Sequence, residues 1–211
     1  MIKRLFLLIV CLPATAWSAN LHYALDLQIN PHERKITGTA RIKSYADMNI
    51  TLMVRHLHKL IVDGRTEVNT ADDRINLMVQ KGRKRIISYE ATFNPGGTNF
   101  IDTENVFLID DWYPHPNVLA AYDLAVTLPE NFIATSESES VIIQKHGKTK
   151  TFDFKFNHPL DHLHLAASTR YVLQKVRYNH ISIETYFFKE DAQLADSYIA
   201  HSKRYLAMYE S

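Results

Sequence analysis

The chain has 211 residues, 46% hydrophobic and 22% charged, which excludes wholesale disorder and leaves room for one large domain or two small ones. Lys and Arg number 24 and Asp and Glu 23, and this net charge of +1 argues against a nucleic-acid coat or a polybasic membrane binder. A single cysteine rules out an internal disulfide framework and a cysteine-rich zinc finger, and 6 Gly with 7 Pro rule out collagen-like or low-complexity chains.

Residues 1–19 read as a secretory signal peptide. Lys3 and Arg4 precede an apolar run over 5–12 that is too short to span a bilayer. Pro13 ends the run. Ala14-Thr15-Ala16 has the small-x-small form of a cleavage site, and Ala16-Trp17-Ser18 is an alternative. Cys11 lies inside the run, and Val10 before it is bulkier than the residue a lipoprotein site uses. A buried N-terminal strand is the competing reading. Cleavage would remove two positive charges, no acid and the only thiol, leaving a net charge of −1 and a chain suited to a secreted or periplasmic location. No later segment is long and apolar enough to be a transmembrane helix.

From Leu21 the dominant period is two. Tyr23, Leu25, Leu27 and Ile29 alternate with Ala24, Asp26 and Gln28, a half-buried strand. Asn30-Pro31-His32-Glu33 is turn chemistry, after which Ile36, Gly38, Ala40 and Ile42 resume the alternation and complete a hairpin. Ile50, Leu52 and Val54 continue the pattern. A strand over 59–62 ends at Asp63-Gly64, a tight-turn pair, and strands follow over 74–79 and 85–93. Asn94-Pro95-Gly96-Gly97 breaks the pattern and opens an irregular stretch to about residue 116. Tyr122, Leu124, Val126 and Leu128 then alternate up to Pro129. A turn at His146-Gly147-Lys148 precedes Phe152, Phe154 and Phe156 on one strand face. Strands over 163–168, 171–177 and 181–187 complete the series. Such spacing predicts a mainly β fold of two or three antiparallel sheets, arranged as an elongated saddle or sandwich.

The period changes near Lys189. Leu194, Tyr198, His201, Tyr205 and Met208 share one helical face, widened by Ala195, Ile199 and Leu206. Glu190 and Asp191 in the first turn, with Lys203 and Arg204 near the end, suit the helix dipole. So broad a stripe needs a surface to pack on. The predicted organisation is therefore a β-rich unit over 20–188 and a C-terminal helix over 189–211.

The motifs that carry chemistry are sparse. His158, His162 and His164 surround Asp161, and on a strand His162 and His164 would share a face, a weak metal candidate beside the plainer reading of a solvated strand edge. His56 and His58 repeat that spacing. Asp110-Asp111 is a carboxylate pair on an irregular loop, where acids are often simply solvated. Lys81, Arg83, Lys84 and Arg85 around Gly82 read as a solvated hairpin turn. Trp112 and Tyr113 either line a peptide pocket or plug the space between sheets. There is no Gly-x-Ser-x-Gly elbow, no phosphate loop and, after cleavage, no thiol.

Four stretches together resemble the N-terminal domain of zinc aminopeptidases of the aminopeptidase N and leukotriene A4 hydrolase type. They are Tyr23-Ala24-Leu25-Asp26-Leu27 with Ile36-Thr37-Gly38-Thr39-Ala40-Arg41-Ile42; residues 86–93 with Tyr89-Glu90; Trp112-Tyr113-Pro114 followed by Tyr122-Asp123-Leu124-Ala125-Val126-Thr127-Leu128-Pro129; and Phe152-Asp153-Phe154 with Pro159-Leu160 and residues 163–168. Their order holds over residues 23–188. The resemblance implies that zinc and peptide hydrolysis belong to a downstream thermolysin-like domain, with residues 189–211 at its start. This chain has no H-E-x-x-H; its one His-Glu pair, His32-Glu33, is followed by Ile36 at the position of the second His. The glycine-rich exopeptidase strand is absent too. The resemblance therefore implies no catalytic residue and no cofactor in this chain. Its implied partners are the catalytic domain and, in the full-length enzyme, a peptide substrate. The family's N-terminal domain commonly supplies a Gln or Glu to the substrate-amine pocket just before the central Pro turn. Glu104, Asp110 and Asp111 occupy that neighbourhood, with Trp112 and Tyr113 beside them. A stand-alone β-sandwich module of the cell envelope, gripping a peptide or protein along an edge strand, is the alternative.

Overall fold

A computed structural model describes residues 19–66 and 71–210. The expected signal peptide, Ala19 apart, lies outside the described residues. In chain order the strands are β1 (Leu21–Asn30), β2 (Lys35–Ser44), β3 (Met48–Met53), β4 (Leu57–Val62), β5 (Arg65–Thr66), β6 (Arg74–Val79), β7 (Lys84–Thr92), β8 (Phe100–Ile101) and β9 (Asn105–Leu108). They continue as β10 (His115–Pro116), β11 (Ala121–Pro129), β12 (Ile133–Thr135), β13 (Ser140–His146), β14 (Thr149–Lys155), β15 (Leu165–Ser168), β16 (Tyr171–Tyr178) and β17 (Ile181–Phe188). A 3-10 segment, Lys189–Leu194, leads into the helix α1 (Ala195–Tyr209).

The large sheet runs β13-β14-β11-β1-β2-β7-β4-β5. Its centre is the expected β1–β2 hairpin, with Leu25 opposite Ala40 and Leu27 opposite Gly38. Alternation sets that register, since a slip of one residue would turn every buried side chain to water. Gly38 is needed for space: a Cβ there would lie 2.3 Å from Cζ of Tyr89, its neighbour across β7. Two smaller sheets, β10-β3-β6 and β12-β15-β9-β8, share one core with the large sheet. That core takes Leu21, Tyr23, Leu25 and Leu27 from β1, Ile50 and Leu52 from β3, and Val106 and Leu108 from β9.

The mainly β architecture agrees with the reading of the sequence, with three differences. First, the large sheet is mixed, because β1 and β11 pair in parallel with Tyr23 beside Tyr122. A parallel pair cannot be closed by a tight turn, and here most of the intervening chain folds before β11 returns. Second, the stretch expected to be irregular contains β8, β9 and β10, each too short to display a period. Third, β12 and β13 were not expected, and β13 forms a seven-residue edge on which Ile142 and Ile143 are exposed.

The C-terminal helix is present, as expected. It packs on the β16–β17 hairpin, outside the main core, through Ala195 and Ile199, which are 3% and 5% exposed. Much of the stripe that needs a surface is left uncovered: Leu194, Tyr198 and Tyr205 are exposed. Contact with β17 is also made by Tyr198 of the stripe, whose ring meets Phe187 edge-on with centroids 5.2 Å apart.

Candidate functional site

The segment between β9 and β11 crosses the interior and carries most of the candidate residues. Asn99 holds its first turn. Its side-chain oxygen accepts from the amides of Ile109 (2.7 Å) and Asp110 (3.0 Å), while its amide nitrogen donates to the Asp110 carbonyl. One buried amide thus satisfies three main-chain groups of a loop that no strand pairs. Asp111 follows with φ of 47°, in the left-handed region, which turns Trp112 inward.

Trp112 is fully buried, and its indole nitrogen donates to the Leu163 carbonyl at 2.9 Å. Tyr113, 1% exposed, meets Trp112 edge-on with ring centroids 4.7 Å apart. Of the two readings of this pair, the plug between sheets describes their position. Tyr23 and Tyr122 join them, and the Tyr23 hydroxyl donates to the Pro114 carbonyl at 2.6 Å. Burial pushes all three phenols up, Tyr122 to about 12, so they remain protonated and act as structural hydrogen-bonding groups.

The acids separate. Asp111 is buried, and its carboxylate lies 3.8 Å from Nδ1 of His115. Nε2 of His115 meets the Asp161 carbonyl at 2.6 Å, and its ring packs against His162 with centroids 4.0 Å apart. Burial holds the His115 imidazole below its usual value. Asp111 is therefore committed to the interior, whereas the Asp110 carboxylate is half-buried and has no partner among the described residues. Glu104 is exposed just before β9 and Asp110 follows just after it, at the two ends of that strand.

The three candidate metal histidines also part. None lies within a strand, because β15 begins only at Leu165. His162 turns to His115, His158 lies 3.9 Å from Glu139, and His164 pairs with Glu137. Among the described residues no three metal-ligating side chains converge.

A groove of about 450 Å³ runs across the β12-β15-β9-β8 sheet and reaches Ile109, one residue before Asp110. Phe107, Ile109 and Ala166 supply its apolar wall, and Ser136, Glu137 and His164 its polar rim. Both Glu137 oxygens accept from the His164 amide, at 3.0 and 3.1 Å, and one also meets the ring Nδ1. Ser136 donates to the His164 carbonyl at 2.7 Å and lies 3.0 Å from Glu137. The serine hydroxyl is directed to these acceptors and not to the imidazole, so the three are not a nucleophile with its base. The rim thus carries a carboxylate and an imidazole paired with each other, above an apolar wall. Asn99, Glu137 and His115 were not identified from sequence. Each is one polar residue in a short irregular segment, and only its fold partners mark it.

No family model matches the sequence, and no curated protein matches it. Solved structures do. The fold is shared with the M1 zinc metallopeptidases. One, a variant from Deinococcus radiodurans bound to a Tyr-Ser-Ala substrate, is 16% identical with a TM-score of 0.57, over 78% of this chain and 46% of that chain. Another metallopeptidase from the same organism is 17% identical with a TM-score of 0.55, over 78% of this chain and 46% of that one. A two-domain variant bound to L-tryptophan is 16% identical with a TM-score of 0.56, over 78% and 47% respectively. This chain therefore corresponds to less than half the length of those metallopeptidases.

Proposed function

We propose that the chain is the non-catalytic N-terminal domain of a secreted or periplasmic zinc aminopeptidase, which covers a catalytic cleft and helps receive the free N-terminus of a peptide. The observation that carries this reading is the partial match: the chain aligns with under half of the M1 chains and contains no H-E-x-x-H. The described residues do not fit a zinc ion, so zinc would be held by a catalytic domain outside them. The ligands named for the similar structures, a Tyr-Ser-Ala substrate and L-tryptophan, agree with a peptide end as the bound group. In this chain the groove walled by Phe107 and Ile109 is the place that suits it. Asp110 would face the substrate amine, with Phe107 and Ile109 against the first side chain. Asp111, Trp112 and Tyr113 would hold that wall in place without touching substrate.

The test is enzymatic. The chain alone should not cleave aminoacyl-anilides or short peptides above background, with or without zinc. The reading frame downstream should encode H-E-x-x-H within a domain's length, and the longer polypeptide should show chelator-sensitive turnover. In that polypeptide Asp110→Asn should raise KM for substrates with a free amine about tenfold, with little change in kcat, as expected when one charged hydrogen bond to substrate is lost. Chelator-sensitive turnover copurifying with the chain alone would overturn the proposal. A stop codon with no such motif downstream would overturn it in favour of a stand-alone binding module.

A further inference from the structure

One end of the large sheet concentrates positive charge in a chain that is otherwise balanced. Lys43, near the end of β2, lies directly opposite Lys84 of β7 on one side and His22 of β1 on the other. Ser44, the next residue, bridges to Lys81, and Arg83 follows in the turn into β7. Lys43, Lys81, Arg83 and Lys84 are all exposed, and none forms an ion pair among the described residues. The nearby acids each hold other partners than these four side-chain cations. Asp63 lies 2.5 Å from the Arg85 guanidinium, Asp123 is shared by His22 and Lys155 at 3.1 Å each, and Asp47 accepts the Lys81 amide at 2.6 Å. Like charges facing each other across a ladder destabilise a sheet, so the Lys43–Lys84 pair opposes folding when nothing lies between them.

The cations also border a concavity. His22, Lys43, Ser44, Tyr45, Lys81 and Gly82 line a recess of about 370 Å³. Tyr45 stands on its rim, 66% exposed. The Ser44 hydroxyl is committed to the carbonyls of Asn20 and Ala46, at 3.0 and 2.6 Å, and Nε2 of His22 to Asp123, so the free donors of the recess are its ammonium groups. Lysines act as adjustable point charges with three donors each, which suits a tetrahedral oxyanion better than a planar carboxylate.

We propose that this recess is a binding site for a phosphate group. Lys43 and Lys81 contact its oxygens, Lys84 adds charge from the next strand, and Tyr45 covers whatever the phosphate is attached to. The near-neutral net charge of the chain does not oppose this, because attraction at contact depends on the local field. The phosphate can belong to an anionic phospholipid headgroup or be free in solution. An aromatic side chain beside lysines suits the headgroup layer of a membrane.

Two arms separate these sources. In the first, calorimetry measures inorganic phosphate binding at about 50 mM ionic strength, where surface charge is only partly screened. In the second, cosedimentation compares phosphatidylglycerol-containing vesicles with pure phosphatidylcholine vesicles. Saturable binding in the first arm alone assigns free phosphate; selective cosedimentation assigns the headgroup; both support the site. Lys43→Glu with Lys81→Glu should weaken the positive arm at least tenfold. The pair Lys148→Glu with Lys189→Glu makes the same change in net charge away from the recess and should leave binding within about twofold. The milder pair Lys43→Gln and Lys81→Gln checks that any loss is not misfolding. Failure of both arms, or equal loss in the two glutamate pairs, would overturn the proposal.

Discussion

Trp112 shows how one residue can be legible as important while its role stays open. Its sequence neighbourhood, a Pro-containing loop with acids, suits a ligand pocket and a core plug equally. Only the fold decides, by placing Leu163 within reach of the indole nitrogen. Trp112→Ala should destabilise the domain by about 3–5 kcal/mol, read from denaturant unfolding. Tyr89 gives the opposite expectation. Its hydroxyl is buried with no hydrogen-bond partner among the described residues, so Tyr89→Phe should be neutral or stabilise by up to about 1 kcal/mol. Gly38→Ala should cost about 1–3 kcal/mol, because the new methyl meets a Tyr89 ring that is packed on all sides. His115 makes a pH prediction. Asp111, the Asp161 carbonyl and carboxylate, and His162 all surround it, yet burial dominates and lowers its pKa from the ordinary 6.5. A base lowered in the folded state is protonated first in the unfolded one. Its contribution to stability is therefore complete above about pH 6.5 and lost as pH falls toward the folded value. Chemical denaturation from pH 7.5 to 5 should show that loss, and His115→Gln should flatten it.

Elements were legible where alternation ran for six residues or more against a two-sided environment. β1, β2, β7 and β11 read directly as alternating rows, because each has one face in the core. β8, β9, β10 and β12 did not, since two to four residues cannot establish a period. β13 was hidden for another reason. As an edge strand it leaves Ile142 and Ile143 exposed on successive positions, so its sequence never alternates. The groove was illegible because it depends on β9 lying beside β15, with Phe107 opposite Ala166, a pairing across about sixty residues. An open apolar edge is a template for intermolecular pairing. Ile142→Lys should therefore slow aggregation measurably by light scattering, while changing unfolding free energy by no more than about 0.5 kcal/mol.

At the scale of the whole molecule the chain divides into a self-contained sandwich and an appendage. Among the described residues all of the main core lies before Thr169; beyond it, only Ala195 and Ile199 are buried apolar residues, and they serve the β16–β17 hairpin. Two residues of that size bury too little to hold a fifteen-residue helix by themselves, given roughly 1.5–3 kcal/mol for a fully buried large aliphatic and far less for Ala. The uncovered face, with Leu194 and Tyr205, would add that missing burial against a catalytic domain under the proposed function. Hydrogen exchange should therefore be fast over 190–210, intermediate in β16 and β17, and slowest in β1, β2 and β11. Deleting residues 190–211 should leave the cooperative melt of the sandwich within about 2 °C and reduce self-association, because an exposed apolar helix face is removed while no core residue is. If that deletion abolishes the cooperative melt, the helix belongs to the core in solution, the chain needs no covering domain, and the envelope-module reading replaces the peptidase one.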